Sequence, residues 1–270
     1  MGPSFNVLPL EIHMSLHPPF SSMPFMEAFT PLLRLFKGMT RKSPGSEAST
    51  LRALSLCPLP THPAIADLGC GSGASTLLLA RALQPLESPI LALDADGTAL
   101  DDLWEAAQLQ GLRPLVRPVT GDMANPDIPS GSLDLLWSEG AIAHIGWTEG
   151  LRVWRNLLRP GGVMAFTDAT WFEDSPPPAA RRAWGDWYPT MGTEEANLRT
   201  ARAFGLDVLG HFRLPSQDWW DYFDQVEARC RLCDGEDTLA ETIASMRVEM
   251  DLYHRTGHSY GYMFYILQKA

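Results

Sequence analysis

The chain has 270 residues, 45% of them hydrophobic, enough to bury one α/β core with additions, and its net charge of −11 with a pI near 5.0 argues against a nucleic-acid surface built from clustered Lys and Arg. Four cysteines give no disulfide framework, and the lone C-x-x-C of Cys230 and Cys233 lacks two further ligands nearby in sequence, so no metal is expected. Neither a secretory leader nor an apolar run of membrane length is present, which points to a cytoplasmic protein without a membrane partner.

Residues 1–45 are rich in proline and methionine and read as an N-terminal extension or cap. The spacing predicts one amphipathic helix around Met26 to Lys37, with Phe29, Leu32, Leu33 and Phe36 turned inward. An ordinary helix packed on a sheet edge has the same pattern.

The apolar run Ala64-Ile65-Ala66 leads into Asp67-Leu68-Gly69-Cys70-Gly71-Ser72-Gly73, and a helical stretch follows from Ala74 to Leu83. A strand-to-helix turn with three glycines lets the backbone approach a ligand and presents the unpaired N–H groups of a helix start. Gly69, Gly71 and Ala74 also satisfy the loose dinucleotide fingerprint. A carboxylate two residues before the first glycine repels a pyrophosphate but suits a ligand with an ammonium and a sulfonium, as in S-adenosylmethionine. A tight turn with a helix-capping Asp is the simpler alternative.

A second strand, Ile90-Leu91-Ala92-Leu93, ends at Asp94-Ala95-Asp96 before a helix carrying Leu100, Leu103, Trp104 and Ala107. Asp94 falls at the carboxyl end of that strand, where an acid accepts ribose hydroxyls, and Asp96 suits the N-cap. Leu115 to Val119 reads as a third strand despite Pro118, which lacks the N–H a central strand needs. It ends at Gly121-Asp122-Met123, where a carboxylate, a backbone N–H and a soft apolar side chain suit an adenine.

In this order the motifs resemble those of the class I S-adenosylmethionine-dependent methyltransferases, and the resemblance covers roughly Ser43 to Thr170. Leu133 to Gly140 looks like their fourth strand and its loop, and Leu157-Leu158-Arg159-Pro160-Gly161-Gly162 like the signature entering the fifth. Trp137-Ser138-Glu139-Gly140, Ser43-Pro44-Gly45-Ser46 and Tyr260-Gly261-Tyr262 resemble the small-molecule enzymes related to ubiquinone and menaquinone biosynthesis. The resemblance implies a Rossmann-like α/β fold with seven mostly parallel strands, an antiparallel last strand and helices on both faces. Residues 46–270 would form the methyltransferase domain, with an acceptor-side insert at about 171–205 and a helical segment, including Trp219 to Arg231, between strands six and seven. It further suggests that Pro44-Gly45-Ser46 closes over the methionine end of the cofactor.

The expected cofactor is therefore S-adenosylmethionine, with S-adenosylhomocysteine as product and a small molecule as methyl acceptor. Expected cofactor residues are Asp67, Gly69, Gly71, Ser72, Gly73, Asp94, Ala95, Asp122, Met123, Ser138 and Glu139. In-line methyl displacement needs positioning and exclusion of water, with a base only where the acceptor must lose a proton. Glu139 and His144, after strand four, are the candidates for that base; a helix cap near Ala141 and a satisfied loop carbonyl are their structural alternatives.

Eight of the nine tryptophans lie between Trp137 and Trp220, and more than half are assigned to packing. Trp171, Trp184 and Trp187, with His144 and Asp168, are the candidates for acceptor contact; Thr167 and Asp168 are placed at the end of strand five. A catalytically silent S-adenosylmethionine-binding module and an NAD-dependent oxidoreductase remain as other readings of the same turn.

Overall fold

A computed structural model describes residues 24–270, with side chains from residue 30 onward. Phe29 and the extension up to residue 23 lie outside the described side chains and backbone respectively. The elements are α1 (Pro24–Leu35), α2 (Glu47–Leu54), β1 (Ile65–Leu68), α3 (Ala74–Ala82), β2 (Ile90–Asp94), α4 (Gly97–Leu109), β3 (Val116–Thr120) and β4 (Leu133–Ser138). There follow α5 (Trp147–Leu157), β5 (Leu158–Trp171), α6 (Pro178–Trp187), α7 (Glu194–Ala203), β6 (Leu206–Arg213), α8 (Ser216–Leu232), α9 (Ala240–Thr256) and β7 (Tyr260–Lys269).

The seven strands form one sheet in the order β3-β2-β1-β4-β5-β7-β6. Pairings from β3 through β5 are parallel, and β7 runs antiparallel to both of its neighbours, as expected for the last strand. The order reverses beside β1, so the crevice outside the carboxyl ends of β1 and β4 is the ligand position of an open α/β sheet. Pro118 is tolerated because β3 is the sheet edge among the described residues, paired on one side with β2.

Strand side chains alternate between two cores. Trp137 and Ala165 face the layer built with α3, α4, α8 and α9, while Leu136 and Phe166 face the layer of α5 and α7. Trp147 and Trp154 of α5 are buried in that second layer, where Trp147 meets the Tyr265 ring edge-on at 4.7 Å between centroids. The Trp154 indole also donates to the Met123 carbonyl at 3.0 Å, tying α5 to the turn after β3.

Local signals explain several element ends. Asp96 caps α4 by accepting from the Thr98 N–H at 3.0 Å, the role its position suggests. Gly73 precedes α3 with φ at +85°, and a Cβ there would overlap Leu103 Cδ1 of α4. Gly73→Ala is expected to cost about 2–4 kcal/mol from the left-handed backbone and overpacking combined. A lowered urea midpoint with an unchanged m-value is the result to look for.

β5 is longer than the sequence suggests. Its pairing with β7 continues from Asp168 opposite Met263 to Trp171 opposite Tyr260, three residues past the expected end. Helices α2, α5, α6, α7 and α9 are also additions to the sequence reading.

Candidate functional site

One cavity of about 890 Å³ lies at the carboxyl edge of β1 to β4, at the upper end of the range for small-molecule sites. Its floor is the glycine turn. Gly69 has φ at +71°, and a Cβ there would fill the gap to Ala141 Cβ, so glycine holds open the space between the β1 and β4 loops. Gly69 and Cys70 donate their N–H groups to the Leu93 carbonyl at 2.8 and 3.1 Å, and Gly71 donates to Asp94 Oδ2 at 2.7 Å. The other Asp94 oxygen accepts from the Asp96 N–H at 2.9 Å. Asp94 thus clamps the turn while lining the cavity with Ala95 and Asp96.

Asp67 is 1% exposed and accepts from Thr76 Oγ1 at 2.6 Å. Burial pushes its carboxyl up to about 7; Thr76 opposes that rise, Glu139 and Asp94 add to it and Arg41 offsets part of it. Such an acid is poised to ionise when a cation arrives. Ser72 Oγ is buried with no hydrogen-bond partner among the described residues, and Ser72 lines the same cavity. An open glycine cradle, an orphaned hydroxyl and a raised acid fit a cationic nucleoside ligand.

Residues 40–44 cross the mouth of this half as a strap. Arg41 pairs with Glu139 and reaches Thr50 Oγ1 at 3.4 Å, while Lys42 Nζ lies 3.6 Å from Asp96. Glu139 Oε1 is also bonded by Thr50 Oγ1 at 2.7 Å and by the Trp137 indole at 2.9 Å. The Glu139 side chain is 4% exposed, so its acceptor capacity is taken by three donors. It does not cap a helix: a single 3-10 turn, Ile142–His144, follows the loop, and Glu139 is turned back toward the strap.

The other half of the cavity is aromatic. Trp184 and Trp187 of α6 stand 5.1 Å apart, and Trp184 meets Tyr260 at 5.3 Å. Trp219 of α8 stacks on Tyr253 at 4.5 Å and meets Tyr262 edge-on at 5.3 Å. Leu32, Leu33 and Phe36 from α1 and the turn after it line this half, with Tyr222, Met246 and Glu249. His144 borders it, its ring edge-on to Trp187 at 6.2 Å.

The structure therefore brings Asp67, Gly69, Gly71, Ser72, Asp94, Ala95, Asp122, Met123, Glu139, His144, Trp184 and Trp187 to one cavity. Four expected residues lie elsewhere. Gly73 packs α3 on α4, and Ser138 Oγ is turned to the Leu68 carbonyl at 2.8 Å. Asp168 sits within β5 rather than at its end because β7 extends the pairing; it is 2% exposed and accepts from the Tyr188 hydroxyl at 2.9 Å. Trp171 borders a separate, shallow cavity with Thr193 and Arg213, the extension of β5 having carried it past the site. Thr167 accepts from the Gly140 N–H at 2.8 Å and so shapes the β4 loop.

Tyr222, Met246, Glu249, Tyr260 and Tyr262 escaped the sequence reading as site residues. The available signal was on α9: Met246, Glu249, Met250 and Tyr253 follow i, i+3, i+4, i+7 spacing, which puts an acid inside an apolar stripe.

Among the described residues no helix is long and apolar enough to cross a membrane, and no group of three or more His, Cys, Asp or Glu side chains converges as a metal site. Residues 65–162 match the family described as a methyltransferase domain. Dimethylglycine N-methyltransferase of Parasynechococcus marenigrum is 31% identical over 112 residues, 41% of this chain and 39% of the relative. Trans-aconitate 2-methyltransferase of Deinococcus radiodurans is 35% identical over 113 residues, 41% of this chain and 40% of the relative. The chain thus spans about two fifths of the length of these curated relatives. A methyltransferase from Thiobacillus denitrificans, solved with S-adenosylhomocysteine, superposes with a TM-score of 0.75 at 17% identity, covering 88% of this chain and 98% of that one. Residues 65–162, running from β1 into β5, thus match a methyltransferase domain, and the seven-stranded sheet as a whole shares its fold with that solved S-adenosylmethionine-dependent methyltransferase.

Proposed function

We propose that this protein transfers the methyl group of S-adenosylmethionine to a small organic acceptor. The observation that carries this reading is the single cavity joining a cation-suited glycine turn to an aromatic chamber. The cofactor supplies a methyl carbon on a positively charged sulfur: the acceptor's lone pair forms the new bond, the C–S pair returns to sulfur, and S-adenosylhomocysteine leaves.

Each part of the chain has a place in that chemistry. Asp67 and Ser72 hold the methionine end, Asp94 accepts from the ribose, and Asp122 with Met123 frames the adenine. Glu139 acts as a positioning residue: engaged by Arg41, Thr50 and Trp137, it fixes the β4 loop against the strap and is not the base. The described part of the N-terminal extension serves as a cap, with Thr40 to Pro44 over the cofactor and Leu32 and Leu33 of α1 against the acceptor. Trp184 and Trp187 exclude water from the reacting atoms, and His144 is the remaining candidate to accept an acceptor proton. A net charge of −11 favours a small molecule over nucleic acid as acceptor.

Parallel calorimetric titrations with S-adenosylhomocysteine and NAD test this reading. Saturable binding of S-adenosylhomocysteine alone is the expected result. Binding of NAD in its place would overturn it and return the glycine turn to a dinucleotide role.

A further inference from the structure

Glu249 of α9 lines the cavity together with the aromatic residues Trp219, Tyr222, Tyr260 and Tyr262. It is half-buried, and among the described residues it makes neither a hydrogen bond nor an ion pair. Burial alone pushes its carboxyl up to about 7, with no cation offsetting the rise. The basic residues of its own helix are engaged elsewhere: Arg247 pairs with Glu227, Arg255 with Asp251, and the His254 ring meets Trp220 edge-on. Arg41 and Lys42, the cations bordering the cavity, are engaged by Glu139 and Asp96 in the other half.

Rings make up much of the cavity wall that Glu249 shares. Burial first, and the Glu249 charge as a smaller contributor, hold the phenols of Tyr222, Tyr260 and Tyr262 above their usual range. Trp219, stacked on Tyr253 and edge-on to Tyr260 and Tyr262, completes the wall. An unpaired carboxylate in such a place costs stability unless a ligand supplies the opposite charge. Indole and phenol faces add attraction for the same charge, because their quadrupoles are negative above the ring. A neutral or anionic acceptor would leave the carboxylate uncompensated.

We propose that the acceptor is a small amine whose basic nitrogen is received as its ammonium by Glu249 within the box of Trp219, Tyr222, Tyr260 and Tyr262, and gives its proton to that carboxylate to free the lone pair that takes the methyl. This assignment rests on the methyltransferase reading and specifies its substrate class. Glu249 is then the residue that selects a basic nitrogen over an oxygen of the same shape, and Met246 and Leu252 on the same helix supply the apolar seat for the carbon skeleton.

The test uses the full chain saturated with S-adenosylhomocysteine and titrated with phenethylamine, tryptamine, 2-phenylethanol and phenylacetate, read by calorimetry and tryptophan fluorescence. At least one amine is expected to bind about ten-fold or more tighter than the alcohol, the scale of one desolvated cation contact, and the carboxylate least of all. Glu249→Gln is expected to abolish the preference for amine over alcohol while leaving S-adenosylhomocysteine affinity unchanged, which also shows the variant is folded. Equal binding of amine and alcohol, saturable binding of neither amine, or a preference that survives Glu249→Gln overturns the assignment. The wild-type comparison stands even where the variant fails to fold. Failure to bind S-adenosylhomocysteine would instead strike the methyltransferase reading, so the two outcomes are separable.

Discussion

Asp67→Asn is expected to weaken S-adenosylmethionine binding by about 10- to 100-fold, the worth of one charge-assisted hydrogen bond in a buried site. The amide keeps the shape and can still meet Thr76, so the loss isolates the charge. The wild-type affinity is expected to depend on pH in a definite direction. A cationic ligand needs the ionised carboxylate, and burial holds the free protein's acid up at about 7. Affinity should therefore be level above that pH and fall as pH drops below it, approaching ten-fold per unit, while Asp67→Asn removes the slope. Titrations between pH 5.5 and pH 8.5, roughly bracketing that value, check this.

The same acids make an opposite statement about the ligand-free protein. Burial raises Asp67, Asp168 and Glu249 from the ordinary carboxylate values of 3.8, 3.8 and 4.5 to about 7, 8 and 7. The folded chain holds these protons over a range where the unfolded chain has lost them. Stability from these groups is full below about pH 4, declines as pH rises and levels off above about pH 8. The melting temperature of the free protein should accordingly fall from mildly acidic to alkaline pH, and ligand binding should flatten the decline.

Arg41→Met is expected to cost about 3–5 kcal/mol of stability, because it strands Glu139 in a site that is 4% exposed. Removing both charges in Arg41→Met with Glu139→Gln should recover much of that loss, since the amide can still accept from Thr50 and Trp137. Urea unfolding of the two single variants and the double variant measures the coupling. S-adenosylhomocysteine affinity in the double variant then reports how far the strap itself contributes, with the buried charge no longer a complication.

The glycine-turn half of the cavity was legible because its lining residues are local in sequence. Asp67, Gly69, Gly71 and Ser72 occupy one turn, and Asp94 and Asp122 fall after successive strands whose apolar runs are visible in the chain. Seven strands with an antiparallel last one followed from the resemblance, whereas their order, with β7 inserted between β5 and β6, is a property of the folded sheet. The acceptor half is assembled from distant segments: α1, the Ile142–His144 turn, α6, α8, α9 and β7. No spacing within any one of them reports that Trp187, Trp219, Glu249 and Tyr262 share a chamber. Trp171 illustrates the limit. The extra pairing of Ala169, Thr170 and Trp171 with β7, invisible in β5 alone, moves Trp171 from the expected pocket to another cavity. Glu139 marks a different one: its place after β4 was readable, but its partner lies 98 residues upstream.

The placement of β7 between β5 and β6 has a consequence for how the protein is made. Among the described residues β7 is the sheet neighbour of β6 and the last strand in the chain, so β6 leaves the ribosome before the strand it pairs with. Until those residues emerge, β5 and β6 present two unpaired backbone edges, one of them in the middle of the finished sheet. Synthesis thus passes through a nascent species whose nucleotide half has a full complement of strands while its aromatic wall is missing Tyr260 and Tyr262. A stop codon or protease cut just before Tyr260 would trap that species, and its open edges make aggregation its expected fate.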